Sequence, residues 1–119
     1  MNKELVFNYK PDKILIEADL MFNLPATEQY SKTGISATSG ILTKLFSALQ
    51  NTAGKAMGQQ RLIWYGTSSG NRPSFQKSVR KINGWDFDTI VPCHGDVIDT
   101  DAKGIFEKVM AWHLEKKSA

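Results

Sequence analysis

Two short segments, residues 14–16 and 86–92, limit the folds open to this chain more than any other feature of its sequence. Both are rich in β-branched and aromatic residues, which is typical of strands, and a similar segment lies at residues 4–9. Pro11 and Asp12 stand between the first two strand segments and predict the turn of a β-hairpin. Because segments of helical pattern separate the hairpin from the last strand, we predict an α/β fold, a small sheet with helices on at least one face.

Three segments place apolar residues at the spacing of an α-helix, at residues 39–52, 71–84 and from 100 onward. Ser39 and Thr100 are predicted to cap the first and the last of these helices. Residues 61–65 fit a helical turn and a short strand equally well. Residues 26–40 are rich in Thr, Ser and Gly and show no period, so we predict a mobile loop there.

The composition is that of one ordinary globular domain spanning residues 1–119, with 41% hydrophobic and 23% charged residues. No run approaches the ~18 consecutive apolar residues of a membrane-spanning helix. The first residues lack the basic and apolar regions of a secretory signal, so we expect a cytoplasmic protein. The net charge of +3 is spread among acidic residues, and we therefore expect neither a nucleic-acid partner nor a membrane partner.

Polar residues follow two of the predicted strands, Glu17 and Asp19 after the second and His94 and Asp96 after the last. Strand ends often carry ligand-binding and catalytic side chains. An aspartate that closes a strand is more often a turn or cap residue, and we expect Asp96 to bond nearby backbone N–H groups. Cys93 is the single cysteine, predicted to be a buried or half-buried thiol, so a metal site here must use histidine and carboxylates.

Together, residues 14–25 and 85–98 resemble the C-terminal half of a metallo-β-lactamase-fold protein, and most closely uncharacterised fungal members of that superfamily. In the superfamily, the first segment ends in an aspartate that bridges two metal ions, and the second presents the last metal-binding histidine in a Pro-X-His-Gly turn. The resemblance therefore implies that Asp19 and His94 are metal ligands. It also implies half of an αβ/βα sandwich, a small sheet with helices packed on one face.

The resemblance is incomplete, because the His-X-His-X-Asp-His cluster of the superfamily is absent from these 119 residues. The two histidines are His94 and His113, and His113, which matches no ligand of the superfamily, is predicted to be a surface or half-buried helix residue. Asp19 and His94 alone are fewer than the three or four ligands that zinc takes from protein, so we expect zinc at low occupancy or none. Hydrolysis by the dinuclear metal route of the superfamily is then not expected.

Loss of one half of such a sandwich uncovers the apolar inner face of the remaining sheet, which favours association about a two-fold axis. We therefore predict a truncated member of the superfamily that lacks hydrolase activity and acts through a homodimer or through partner binding.

Two alternatives stay open at this point. In the first alternative, the chain is a metal-dependent hydrolase whose site is completed across a homodimer or by the loop residues Glu17, Asp96 and Asp99. A binding module is the other alternative, with its ligand under residues 27–40 and apolar walls from Tyr30, Trp64 or Tyr65. None of these interpretations identifies a substrate.

Overall fold

Three short strands form the sheet of this protein, whose computed structural model describes residues 4–115. The strands are β1 (Phe7–Tyr9), β2 (Ile14–Glu17) and β3 (Thr89–Pro92), in the spatial order β1-β2-β3. β1 is antiparallel to β2, as the predicted hairpin requires, and β2 is parallel to β3. The strands alternate with helices along the chain, and the predicted α/β class is confirmed.

The hairpin turn is a single turn of 3-10 helix, Lys10–Asp12. Pro11 lies in its first turn, where the φ angle of proline suits the helical conformation and its missing N–H leaves no hydrogen bond unmade. Lys13 then takes a left-handed conformation, with φ of 53°, and its N–H donates to the carbonyl of Lys10. The Pro-Asp pair therefore marks the reversal, as predicted.

The helices follow the predicted order with shifted boundaries. Their bounds are α1 (Thr27–Tyr30), α2 (Ile41–Leu49), α3 (Met57–Leu62), α4 (Arg72–Asn83), α5 (Ala102–Val109) and α6 (Ala111–Glu115). A π-helical turn, Ile63–Thr67, continues α3, so the ambiguous residues 61–65 are helical. None of the helices within residues 4–115 has the length and apolar character needed to cross a bilayer.

The structure corrects the two predicted helix caps. The residue that caps α2 is Gly40, not Ser39, and glycine has no side chain to form a cap. The residue that caps α5 is Asp101, not Thr100, and its side chain makes no capping hydrogen bond. Both positions have positive φ, so backbone geometry starts these helices instead of a hydroxyl acceptor. By contrast, Asn71 caps α4 by accepting from the N–H of Ser74. Residues 26–40 contain the short helix α1 within the predicted loop.

The hydrophobic core lies on one face of the sheet. Leu15 and Ile90 are paired across β2 and β3, and both are fully buried. They belong to a cluster with Val79 of α4 and with Phe106 and Val109 of α5. Each such side chain contributes about 1.5–3 kcal/mol through burial, so this cluster is what holds the helices against the sheet.

The opposite face of the sheet is apolar and exposed. Phe7 pairs with Ile16 and Tyr9 pairs with Ile14, which places these four side chains on the face away from the core. Phe7, Tyr9 and Ile16 are 57%, 50% and 42% exposed. Within residues 4–115, therefore, no helix covers this second face.

His113 is buried, which corrects the prediction of a surface or half-buried position. Its side chain is 1% exposed, and its Nε2 atom lies 2.9 Å from the hydroxyl oxygen of Ser68. The rings of Trp64 and Phe75 pack on the imidazole, with centroids 4.9 and 4.8 Å away. Since the Ser68 hydroxyl donates to the carbonyl of Trp64, His113 Nε2 is the donor to Ser68. The helical register alone did not reveal this pair, because Ser68 is distant in sequence.

We expect Ser68→Ala to lower the free energy of unfolding by about 1–3 kcal/mol, because it removes the buried hydroxyl that accepts the hydrogen bond from His113 Nε2. Ser69 is the matched control, since its hydroxyl is exposed and donates to the carbonyl of Gly66. Ser69→Ala should change stability by less than about 0.5 kcal/mol. Urea denaturation of both variants checks this, and equal effects would contradict a structural role for the Ser68–His113 pair.

Candidate functional site

The two predicted metal ligands lie just beyond the paired ends of β2 and β3. The last pair in the parallel register is Glu17 with Pro92, and the chain then continues to Asp19 on one side and His94 on the other. The segments pair again further on, where the N–H of Asn23 donates to the carbonyl of His94 at 3.1 Å. Asp19 and His94 are thus held at one end of the sheet by backbone hydrogen bonds on both sides.

Gly95 is required for this close approach. Its φ is +125°, and a Cβ atom there would lie 2.2 Å from the carbonyl oxygen of Asn23. No other residue fits that gap without moving the backbone. Gly95 therefore sets the position from which His94 leaves the sheet.

Asp19 and His94 contact each other directly. The distance from Asp19 Oδ1 to His94 Nε2 is 3.0 Å, and the two side chains are 43% and 51% exposed. The edge of the Phe22 ring packs on the imidazole, with centroids 5.0 Å apart. The backbone N–H groups of Ala18 and Asp19 both donate to the carboxylate of Glu4, at 3.2 and 2.7 Å. The structure thus brings the two predicted residues together and fixes the turn that carries Asp19.

The spacing of this pair suits a shared metal ion, whereas the number of ligands does not. Zinc bonds of 2.0–2.2 Å at a tetrahedral angle would place the nitrogen and the oxygen about 3.3–3.6 Å apart, so a small separation of the two side chains from their direct contact at 3.0 Å would admit an ion. However, the part of the chain that the structure describes contains no group of three or more His, Cys, Asp or Glu side chains able to hold an ion. Residues 4–115 of one chain therefore do not form a complete zinc site.

Glu17 stabilises the turn instead of facing the site. Its carboxylate oxygen Oε2 accepts from the N–H groups of Leu20 and Met21, at 3.0 and 3.4 Å, while Oε1 is buried without a partner. The pKa of Glu17 is raised to about 8, chiefly by burial and also by the negative charges of Glu4 and Asp19, which together outweigh the lowering effect of the two N–H donors. A neutral carboxyl is therefore the favoured form at this position, and Glu17 is not free to act as an additional ligand.

Asp96 connects the β3 end to α1. Its carboxylate accepts from the N–H of Glu28, at 2.8 Å, and from the hydroxyl of Thr27. The prediction that Asp96 bonds nearby backbone N–H groups is wrong, because its carboxylate partners belong to α1, which is distant in sequence. Because both carboxylate oxygens are used in this way, Asp96 serves as a support for the start of α1.

An apolar groove opens beside His94. Its volume is about 730 Å³, and it lies between the segment after β2, helix α1 and helix α2. The lining residues are Phe22, Leu24, Ala26, Gln29, Tyr30, Ala37, Leu42, Thr43, Leu45, Phe46, Ser47, Leu49 and His94. The sequence indicated the apolar stripe of α2 but not the groove, because an amphipathic pattern does not specify what its apolar side faces.

Three other residues of the sequence analysis lie elsewhere. Cys93 is exposed, which corrects the prediction of a buried or half-buried thiol; it follows the buried Pro92, and the alternation of the strand turns it outward. Trp64 and Tyr65 pack on Trp112, with ring centroids 6.0 and 6.3 Å away. They do not line the groove that Tyr30 lines, so the three proposed aromatic walls do not form one site.

Comparisons of the chain with protein families, with curated proteins and with solved structures give no significant match. The resemblance to the metallo-β-lactamase fold therefore stays a prediction from the sequence.

The free energy of unfolding is expected to fall as the pH rises from about 4.5 to about 8, because the unfolded chain releases the Glu17 proton at a lower pH than the folded protein does. Glu17→Gln keeps the shape of the neutral acid and should remove this part of the pH dependence. At pH 7 we expect the variant to be more stable by about 3 kcal/mol.

Denaturation between pH 4 and pH 9 measures this difference, with Glu115→Gln as the control, since Glu115 is exposed at the end of α6. Parallel pH profiles for the wild type and Glu17→Gln would show that the Glu17 proton does not contribute.

Proposed function

We propose that this protein acts by self-association, as a non-hydrolytic protein built on half of a metallo-β-lactamase-like αβ/βα sandwich. The observation that carries the proposal is the uncovered apolar face of the sheet, which we call the open face and define by Leu5, Phe7, Tyr9, Ile14 and Ile16. A second copy of the chain is the partner, joined through the same face about a two-fold axis.

The area of the open face fits a homodimer. Phe7 and Tyr9, at about half exposure, each leave roughly 100 Å² of side chain in water. With Leu5 and Ile16, which are also exposed, the patch reaches on the order of 400 Å². A standard interface takes about 800 Å² from each partner, a little more than half of it apolar. The open face supplies the apolar part, and the surrounding polar residues supply a rim.

The geometry of such a dimer follows from how sheets pack. Two sheets stack face to face about 10 Å apart, with their side chains interdigitated. With α4 and α5 on the outside of each sheet, two copies would form four layers in the order helix, sheet, sheet, helix. This is the layer order that the sequence resemblance implies for a complete sandwich.

We propose a protein without hydrolase activity because the site has too few metal ligands. Asp19 and His94 are the two predicted ligands, whereas a catalytic zinc takes three protein ligands and keeps one position for water. With Glu17 buried and Asp96 engaged by α1, neither of these carboxylates completes the set.

A metal-dependent hydrolase with its site completed across the homodimer is the second candidate. The observation that favours it is the 3.0 Å distance between Asp19 and His94, with both side chains half exposed at the end of the sheet. If the two-fold axis passes close to that end, two copies offer four ligands in one place. We assign no substrate to this candidate.

Self-association is tested with Ile16→Glu, which places a charge in the centre of the open face. Val97→Glu is the matched control, because Val97 is 40% exposed, close to the 42% of Ile16, and lies outside the open face. We expect a wild-type dimer at micromolar concentration, at least tenfold weaker association for Ile16→Glu, and no change for Val97→Glu. Light scattering and sedimentation measure this, and a wild-type monomer at tens of micromolar would overturn the proposal.

Metal content separates the two candidates. If the site is not a metal centre, purified protein should contain less than stoichiometric zinc, and Asp19→Ala and His94→Ala should leave that content unchanged. The hydrolase candidate instead requires tight zinc that both variants lose and that Asp88→Ala, at an exposed aspartate outside the candidate site, retains. Elemental analysis with protein quantitation gives the answer, and loss in one of the two variants alone would indicate adventitious binding.

A further inference from the structure

The groove beside α2 is a preformed cavity and not a gap left by poor packing. Gln59 is 1% exposed, and its side chain bonds both walls: Oε1 accepts from the N–H of Phe22, and Nε2 donates to the carbonyls of Phe22 and Asn51. A further bond, from the N–H of Leu24 to the carbonyl of Gln50, joins the same two segments at 3.2 Å. The segment that carries Phe22 and Leu24 is therefore tied to the chain just after α2 by several hydrogen bonds.

Helix α2 is held in place at its C-terminal end, while its apolar side faces the groove. A Cβ atom at Gly58 would lie 2.5 Å from the carbonyl oxygen of Leu49, so α3 meets the last turn of α2 at the closest possible distance. Leu42, Leu45 and Phe46 line the groove and are 81%, 57% and 48% exposed. This wall is apolar along the helix and stays in contact with water, which favours an elongated apolar ligand.

The polar side chains that line the groove indicate the chemistry of the ligand's polar end. His94 is the one ionisable group of the lining besides Tyr30, and no lysine or arginine side chain of residues 4–115 lines it. No aspartate or glutamate side chain of residues 4–115 lines it either, so the lining offers no carboxylate to a cationic head group and no lysine or arginine to an anionic one. Because Asp19 occupies Nε2, the Nδ1 atom is the ring nitrogen left to a ligand, and the other polar side chains of the lining, Gln29, Thr43 and Ser47, are neutral.

We infer that this groove binds a single-chain amphiphile with an uncharged hydroxyl head group, the chain lying along α2 and the head at His94. The volume of about 730 Å³ lies within the range of 300–1,000 Å³ that small-molecule sites occupy. This site is separate from the open face of the sheet, and its test does not depend on self-association.

Calorimetric titration tests the head group, with 1-decanol below its solubility limit and with decanoate and decyltrimethylammonium below their critical micelle concentrations. We expect decanol to bind at least tenfold more tightly than either ion, and each CH₂ added from octanol to decanol to raise affinity up to about fourfold. Equal or tighter binding of decanoate would overturn the assignment of an uncharged head, as would tighter binding of the ammonium.

Paired variants on α2 test where the amphiphile binds. Leu45→Glu places a charge in the groove wall and should weaken decanol binding at least tenfold, whereas Ile41→Glu, on the same helix but outside the lining, should not change it. His94→Phe keeps a ring and removes the nitrogen, so we expect about fivefold weaker decanol binding. Equal effects of Leu45→Glu and Ile41→Glu would overturn the proposal.

The oligomeric state of Leu45→Glu tests whether a second copy of the chain, and not an amphiphile, occupies the groove. If Leu45→Glu converts a wild-type dimer into a monomer, the groove holds α2 of a second copy, and the amphiphile proposal is overturned. Ile16→Glu should leave decanol binding unchanged, so failure of the proposed dimer and failure of this inference give different results.

Discussion

The parallel pairing of β2 with β3 is the interaction on which the rest of the structure depends. It joins Ile14–Glu17 to Thr89–Pro92 across most of the chain, and the helices between them must pack on the sheet as a consequence. Beyond the strands, the contact of Gly95 with Asn23 continues the pairing as an isolated bridge. That continuation places Asp19 and His94 side by side, so the same hydrogen bonds that form the sheet also form the candidate site.

The chain has more apolar surface than its core takes up. The face of the sheet with Leu15 and Ile90 is fully buried, whereas the face with Phe7 and Ile16 is exposed. The apolar side of α2 is exposed in the same way, except that it forms the wall of a groove whose shape is held by Gln59. These two surfaces differ in kind: the open face is a sheet surface that suits another sheet, and the groove is a concave cavity that suits a small ligand.

Much of the fold could be predicted from local signals. Pro11 and Asp12 located the hairpin turn, and the predicted bounds 71 and 84 are the two cap positions of α4. The wrong predictions concern a residue whose burial depends on segments distant in sequence and a helix start that depends on the backbone conformation of one glycine. His113 is buried because Ser68 and two aromatic rings from other segments surround it, and the start of α2 depends on a glycine with positive φ instead of on Ser39. The candidate pair was predicted from the resemblance of the two strand-end segments to a known family, but neither the buried state of Glu17 nor the groove had a local signal.

The sequence by itself determined the class of the fold, the order of its elements and the identity of the polar residues at the strand ends, because periodicity and turn chemistry are local properties. The tertiary structure alone decided which of those residues meet. Asp19 contacts His94, Asp96 holds α1, and Glu17 turns inward and keeps its proton. The physical reason is that burial and hydrogen-bond partners depend on distances between segments far apart in the chain, and those distances are set only when β2 and β3 pair.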